Sequence, residues 1–444
     1  MTTFEGFSWR RTKAPGSTEP GYRTDDVFFI DASTGWAVNS AGSIIKTSDG
    51  GSSWVTQAEF EDVYLRSVGF ANANVGWVGT LTLTHRLLHT TDGGASWRLV
   101  NNLPPGSPPA ICGLSVVDAN TVYGSGTNFP DRPAAIVKTT DGGATWTAIN
   151  MSAHAAILVD IYFKNAMEGW VVGGRDDVGQ PMARRKRDDV EPVVLHTVDG
   201  GVTWTDRLEP IRRLLPRGEW GWKIQALDAQ TMFVSLENLL DGAILRSDDG
   251  GLNWQRIRIN DRQRNSNLEG VGFVDRDRGW VGGWGDIDFV GGFTSATADG
   301  GATWDDANKI GFRLNRFRFI GNPVTVGYAS GDTVYKFTDE PAPAGMVAGA
   351  VAAAAAERRM LDGRAVSIDV DVPNGARRLK VNVWDRFGRH LHVLADEIAP
   401  QPGARRLTWD FRDVEGELQS AGAYILRVSI DGKSTSHIAY RTDR

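Results

Sequence analysis

Apolar and polar residues alternate along most of this chain, and the alternating runs come in pairs: "VFFIDASTGWAV", "SVGFANANVGWV", "IYFKNAMEGWVV" and "GVGFVDRDRGWV". A period of two is the mark of a half-buried β-strand, and the short polar stretch between the two runs marks a turn. A third strand follows, ending in "IIKT", "LLHT", "IVKT", "VLHT" or "AILRS". It leads into an octet present in six copies: "TSDGGSSW", "TTDGGASW", "TTDGGATW", "TVDGGVTW", "SDDGGLNW" and "TADGGATW". The aspartates of these boxes, Asp49, Asp92, Asp141, Asp199, Asp249 and Asp299, are separated by 43, 49, 58, 50 and 50 residues. That is the period of one four-stranded propeller blade.

Each box reads as the hairpin between a third and a fourth strand. Gly-Gly supplies positive φ without steric cost, the Asp accepts hydrogen bonds from the turn's own amides, and the Trp opens the fourth strand and packs between blades. The third and fifth repeats keep the outline but replace Gly-Trp with "TVYGSG" and "TMFVSL". Beyond the sixth box, "FRLNRFRFIGNPVTVGYASGDTVYKFT" carries three more strands without a box. The N-terminal "FSWRRT" resembles a fourth strand, so the expectation is a seven-bladed β-propeller over residues 1–338, closed by its N-terminal strand so that no edge is left open.

At residue 339 the composition shifts. "DEPAPAGMVAGAVAAAAAERRMLDGR" (339–364) is rich in Pro and Ala and reads as a semi-rigid linker, part helical. From 365 to 444 the alternating runs "AVSIDVDV", "RLKVNVWD", "RLTWDF" and "YILRVSI" predict a small β-sandwich with Trp384 and Trp409 in its core. The fold class is therefore all-β throughout.

Composition narrows the function classes. A net charge of -6 argues against nucleic acid as a partner. The single cysteine, Cys112, excludes a disulfide framework, and no run of apolar residues is long enough for a membrane span. The start "MTTFEGFSWRR" lacks the apolar core of a secretory signal, so the compartment is the cytoplasm, or an exported or surface assembly if a leader has been removed. The histidines show no metal-ligand spacing and the Gly pairs sit in hairpins, so no cofactor is expected.

The octet is similar to the Asp-box, or bacterial neuraminidase repeat, of sialidases, sortilins and xyloglucan-cleaving glycosidases. With "GWAV" or "GWVG" ahead of the box, residues 7–338 most resemble the photosystem II assembly and stability factor family of seven-bladed propellers. That resemblance implies a protein partner held against the propeller. The C-terminal unit resembles the immunoglobulin-like domain of flagellar hook-capping proteins, through Asp385, Gly388, Trp409-Asp410, Asp413, Gly416 and Ala421-Gly422-x-Tyr424. It implies docking into a larger assembly.

Candidate binding residues follow from the tryptophans. Most open a fourth strand or follow the Gly of a second strand, and two belong to the C-terminal unit, leaving Trp220, Trp222 and Trp284. These fall in connections expected to share one face, opposite the boxes: "GGRDDVGQPMARRKRDDVEP" (173–192), "DRLEPIRRLLPRGEWGW" (206–222), "NDRQRNSNLEG" (260–270) and "GGWGDIDFVGG" (282–292). Arg184, Arg185, Lys186, Arg187, Arg212, Arg213, Arg217, Arg262 and Arg264 make that face locally basic, and Asp286 lies beside Trp284. Exposed rings among arginines are the residue types that anchor protein interfaces; Trp220 and Trp222 read more readily as caps on blade packing, and Trp284, flanked by Gly and Asp, is the better ligand candidate. The 173–192 insertion, with its alternating acid and base blocks, reads equally as a solvated loop.

The likeness to sialidases raises an enzymatic reading. Those enzymes use three arginines, a Tyr paired with Glu and an acid/base Asp, with an Arg-Ile-Pro triplet near the N-terminus. The triplet is absent here, where "PGYRTDDVFF" stands, and neither Tyr22 nor Tyr64 has a Glu partner evident in the sequence. The expectation is a non-enzymatic binding or assembly subunit with one or more protein partners. The alternative is a carbohydrate-active protein, a glycosidase or a glycan-binding lectin, using Trp284 with Glu269, Asp286 or Asp288.

Overall fold

The computed structural model describes residues 4–441 apart from 5, 17–22, 127–133, 177–189, 239–241, 261–266, 286–293, 307–309, 312, 341–364, 386–389, 420–421 and 432. Up to Thr338 the described strands form seven four-stranded antiparallel sheets. The first runs Thr24–Phe29, Gly35–Asn39, Ser43–Thr47 and Val55–Glu59, in spatial as well as chain order. The opening strands of the other six are Leu65–Phe70, Gly113–Val116, Ile157–Phe163, Glu219–Ala226, Leu268–Phe273 and Arg316–Ile320. Each opening strand packs against the next, and Arg316–Ile320 packs back against Thr24–Phe29. The seventh sheet takes its fourth strand from the N-terminus: Ser8–Arg11 pairs antiparallel with Val334–Thr338, Trp9 lying opposite Phe337.

The six boxes share one geometry. Thr47 Oγ donates to Asp49 Oδ1 at 2.8 Å, the Gly51 amide donates back to that hydroxyl at 2.9 Å, and the Ser53 amide and hydroxyl donate to the Asp49 carboxylate at 2.8 and 2.6 Å. Gly50 and Gly51 take φ of 67° and 87°, where a side chain would be strained. These hydrogen bonds, from Ser53 above all, hold Asp49 down to about 2, and the corresponding bonds hold Asp92, Asp141, Asp199 and Asp299 to the same value. The Gly50 amide donates to the Ser33 carbonyl, so the turn between first and second strands shares the box side of the sheet.

Packing between strands explains the Gly-Trp motif. A Cβ on Gly35 would lie 2.5 Å from the Phe29 ring, and Gly76, Gly169 and Gly279 stand in the same relation to Phe70, Phe163 and Phe273. Gly is present because a phenylalanine of the facing strand lies over it. In the third and fifth sheets, where the motif is lost, the facing pairs are Val116 with Val122 and Ala226 with Met232. Both members change together, and the space is filled from the other strand.

The C-terminal unit contains a two-stranded sheet, Val366–Val372 with Gly403–Trp409, and a four-stranded one ordered His390–Ile398, Arg378–Asp385, Gly422–Ile430 and Lys433–Arg441. Its core holds Val366, Ile368, Leu379, Val381, Val383, Leu426 and Trp409. Trp384 is not part of that core, contrary to expectation. Strand alternation turns Leu379, Val381 and Val383 inward, which sends Trp384 to the opposite face. There it packs with Ile425 against Tyr64, Leu81, Ala110 and Cys112.

Candidate functional site

The opening strands surround the axis of the seven sheets, and five of them carry a bulge near their start. The ladder slips between Thr24 and Asp26, Leu65 and Ser67, Leu158 and Asp160, Gly221 and Ile224, and Leu268 and Gly270. A bulge re-aims the side chain it carries. The residues at these slips are Asp25, Arg66, Val159, Trp222 with Lys223, and Glu269, and all are buried.

One tier is built around Asp25. Its Oδ1 accepts from Arg23 Nε at 3.0 Å, Arg66 Nη1 at 2.6 Å and the Tyr64 hydroxyl at 3.2 Å. Arg23 also pairs with Glu269, whose other oxygen accepts from Trp284 Nε1 at 2.8 Å. Arg23 lies 4.8 Å from the Trp284 ring and Arg66 4.9 Å from that of Trp222, while Trp222 Nε1 donates to Asn315 at 3.0 Å. The second tier centres on Arg316, which takes Asp160 bidentately at 2.8 and 2.7 Å and reaches Asp26 at 3.1 Å. Arg316 lies on the seventh sheet and Asp160 on the fourth, so this pair bridges the axis. Against the upward pull of burial, Arg316 holds Asp160 down to about 2. Lys223, 1% exposed, has no hydrogen-bond acceptor for its ammonium among the described residues. Burial and the facing Arg316 push it down to about 7.

Five residues of the types that sialidases use thus meet: Arg23, Arg66, Tyr64, Asp25 and Glu269. They are spent on one another, however. The arginines neutralise the chain's own carboxylates, and burial together with Asp25 raises the Tyr64 phenol, the opposite of what a nucleophile needs. No group of three or more His, Cys, Asp or Glu side chains suited to a metal occurs among the described residues.

The candidate tryptophans are not exposed rings. Trp220 and Trp222 lie in the strand Glu219–Ala226 at 1% and 0% exposure, and Trp284, at 4%, is closed over by Arg23 and Glu269. Reading 206–222 as one loop concealed that strand, whose bulge turns Trp222 into the channel. Arg212 is a brace, paired with Asp206 and donating to the Pro192 carbonyl, whereas Arg213 and Arg217 are exposed. Arg217 lies 3.7 Å from Glu191. Arg184, Arg185, Lys186, Arg187, Arg262, Arg264, Tyr22, Asp286 and Asp288 lie outside the described residues. The channel charges Arg23, Asp25, Asp26, Arg66, Asp160, Lys223 and Arg316 escaped notice. Their signal was a charge intruding at the start of an apolar strand, in "RTDDVFF", "YLRSVGF", "LVDIYF", "WKIQAL" and "NRFRFI".

The C-terminal unit covers part of the face opposite the boxes. Arg427 donates to the Ser40 carbonyl, Lys380 pairs with Asp62 at 3.3 Å and Ser429 meets Glu61 at 3.4 Å. Those propeller residues belong to connections of the first two sheets. Tyr64 joins this contact to the channel, its ring packed in the Ile425 cluster and its hydroxyl on Asp25.

Repeated Asp-box hairpins on four-stranded sheets, with charged opening strands around a common axis, define a BNR-type β-propeller. Within that class the chain resembles the photosystem II assembly factor family. The model described as photosynthesis system II assembly factor YCF48 matches residues 6–157. The solved structure of YCF48 bound to D1 peptide is similar at a TM-score of 0.52 and 20% identity, over 75% of this chain and 97% of that one. YCF48 from Cyanidioschyzon merolae gives 0.53 and 19%, over 75% and 100%. No curated protein matches the chain in sequence. At these identities the structural likeness is one of fold. Among the described residues no helix is long and apolar enough to cross a membrane.

Proposed function

We propose that residues 1–338 are a seven-bladed propeller closed by its N-terminal strand, joined through 339–364 to an immunoglobulin-like module, 365–444. The whole acts as a non-enzymatic assembly subunit. It holds a polypeptide on the loop-bearing face of the fourth to sixth blades, beside Arg213 and Arg217. The observation that carries this reading is the filled channel: its arginines pair with its own carboxylates, which leaves the rim for recognition. The module supports it by covering loops of the first two blades, a different part of that face from Arg213 and Arg217. A YCF48 has been solved with a D1 peptide, so a propeller of this fold can take a polypeptide. The module's outer sheet, Val366–Val372 with Gly403–Trp409, is the surface that docks into a larger complex.

Affinity capture with crosslinking tests the reading. Crosslinks from a partner should map to 173–192, 206–222 or 282–292, and Arg213→Glu with Arg217→Glu should abolish them while leaving thermal unfolding unchanged. Turnover of aryl glycosides, or glycan binding lost in Trp284→Ala, would establish the carbohydrate-active alternative instead.

A further inference from the structure

Neighbouring sheets are joined on the box side by two recurring contacts. A second-strand aromatic stacks on the opening-strand phenylalanine of the next sheet: Trp36 on Phe70, Tyr123 on Phe163, Phe233 on Phe273 and Tyr328 on Phe29, with centroids 3.5 to 3.7 Å apart. A third-strand cation also reaches a carbonyl of the next box: Lys46 to Gly93 at 3.1 Å, Lys138 to Gly200 at 3.0 Å and Arg246 to Gly300 at 3.2 Å.

Between the fourth and fifth sheets both are replaced. Ala226 stands where a phenylalanine would stack on Trp170, and His196 stands at the place of the cation. His196 lies flat on Trp170, centroids 4.5 Å apart, and is held by Arg207 at 2.9 Å and Glu168 at 3.6 Å. At this junction a cavity of about 450 Å³ opens, walled by Tyr162, Trp170, Leu227 and Met232. That volume lies within the range of roughly 300–1,000 Å³ typical of ligand sites. Its mouth carries the carboxylates of Glu168, Asp228 and Asp249 against the single ammonium of Lys164. It stays acidic even with Arg276 reaching Asp228 at 3.4 Å.

The box side of the fourth and fifth sheets is apolar to an extent unusual for this propeller. Met167, Val198, Val202 and Leu252 are 53%, 64%, 81% and 46% exposed. All four lie in the turns and boxes of the fourth and fifth sheets. Elsewhere in the described part of the propeller, only Val55, Leu83 and Leu214 are large apolar residues so exposed. Leu252 lines the cavity and Met167 lies in the turn that supplies Lys164 and Glu168 to it, and exposed apolar side chains beside a cavity mark an interaction site.

We propose that this junction is a second docking site, for a polypeptide that inserts an aromatic side chain flanked by basic residues. The ring is chosen by the aromatic and thioether walls, which take the flat face that a phenylalanine supplies at four of the other junctions. The basic flanks are chosen by the acidic mouth. The site is on the opposite face from the loops and is independent of the function proposed above.

The test uses two capped peptides, lysine-tryptophan-lysine and glutamate-tryptophan-glutamate, titrated calorimetrically into the full chain. The lysine peptide should bind saturably and at least tenfold more tightly than its acidic counterpart. Leu252→Arg and Met167→Arg, both at exposed positions, should each weaken it at least tenfold with thermal unfolding unchanged, whereas Arg213→Glu with Arg217→Glu should leave it intact. No saturable binding, equal binding of the two peptides, or binding unaffected by both surface variants would overturn the proposal.

Discussion

Replacing Lys223 with methionine should stabilise the protein, an unusual outcome for a fully buried position. The ammonium faces Asp160 of the fourth sheet, Asp26 of the first, Arg316 of the seventh and Arg66 of the second. The carboxylates are already committed. Asp160 is held by Arg316 and by the Ile224 amide at 3.1 Å, and Asp26 by Arg316 and the amides of Val27 and Val68 at 2.9 and 3.2 Å. Burial is therefore uncompensated, and the group falls from its ordinary 10.5 to about 7. The unfolded chain binds the proton more tightly than the folded one, so stability rises with pH between about 7 and 10.5. At about 1.4 kcal/mol per unit the full swing is on the order of 5 kcal/mol, of which about 3 kcal/mol falls between roughly pH 7 and 9.5.

Other groups act in the same window: burial also lowers Lys138, and the raised phenols of Tyr64, Tyr123, Tyr328 and Tyr335 oppose the rise once tyrosines of the unfolded chain ionise near 10, so the readout is the difference between the wild-type and Lys223→Met profiles below about pH 9.5. Urea unfolding at a series of pH values is the assay. Lys223→Met should be several kcal/mol more stable than the wild type at neutral pH, and that advantage should shrink as the pH rises toward 9.5. A pH-independent difference between the two proteins, or a less stable Lys223→Met, would refute the reasoning by showing that the ammonium has an acceptor in solution.

Gly279→Ala should destabilise by about 1–3 kcal/mol, because its Cβ would sit 2.5 Å from the Phe273 ring; Phe273→Ala with Gly279→Met, which copies Ala226 and Met232, should recover most of that loss in a denaturation double-mutant cycle. Deleting residues 1–12 removes the strand paired with Val334–Thr338 and should abolish cooperative unfolding of the whole propeller in calorimetry, whereas a mild local effect would count against closure by that strand. Asp141→Ala should lower the melting temperature and leave partner binding on the loop face intact. Because Asp141 is held to about 2 by Thr145 and Thr139, its contribution is present above the ordinary carboxylate value of 3.8 and fades as the pH falls toward 2.

The repeat was legible because its signals are local. Asp-Gly-Gly, the box Trp and the Gly before the second-strand Trp each answer to a contact within one hairpin or one strand pair. The loss of Gly-Trp in two repeats is a coordinated exchange, Phe with Gly for Val116 with Val122 or Ala226 with Met232. That exchange can be read from sequence once facing positions are compared. The channel could not be read so directly. Arg23 and Glu269 are 246 residues apart, and they meet only because bulges and ring geometry bring them to one axis. Trp222 and Trp284 were found as outliers of the repeat, but their place inside the channel depends on that same long-range closure. Trp384 misled for a related reason, since alternation allows two faces and nothing local says which one is the core.

Departures from the repeat are where this molecule differs from an inert ring of hairpins. At the axis, bulges in five opening strands admit charges that an ordinary apolar ladder would exclude, and those charges cross-link the first, second, fourth, sixth and seventh sheets. Truncating one member leaves a buried partner uncompensated, so the network makes the ring rigid at a cost in stability that Lys223 exposes. Tyr64 ties that rigid axis to the C-terminal module through a single side chain, its hydroxyl on Asp25 and its ring against Ile425. Tyr64→Phe should therefore leave the module seated, because the ring contact survives, and loosen only the axial tier. Tyr64→Ala should release the module as well. Hydrogen exchange in the strand Gly422–Ile430 separates the two: protection there should persist in the first variant and fall in the second, and equal protection in both would show that the other contacts, Arg427 and Lys380 among them, hold the module without the Tyr64 ring.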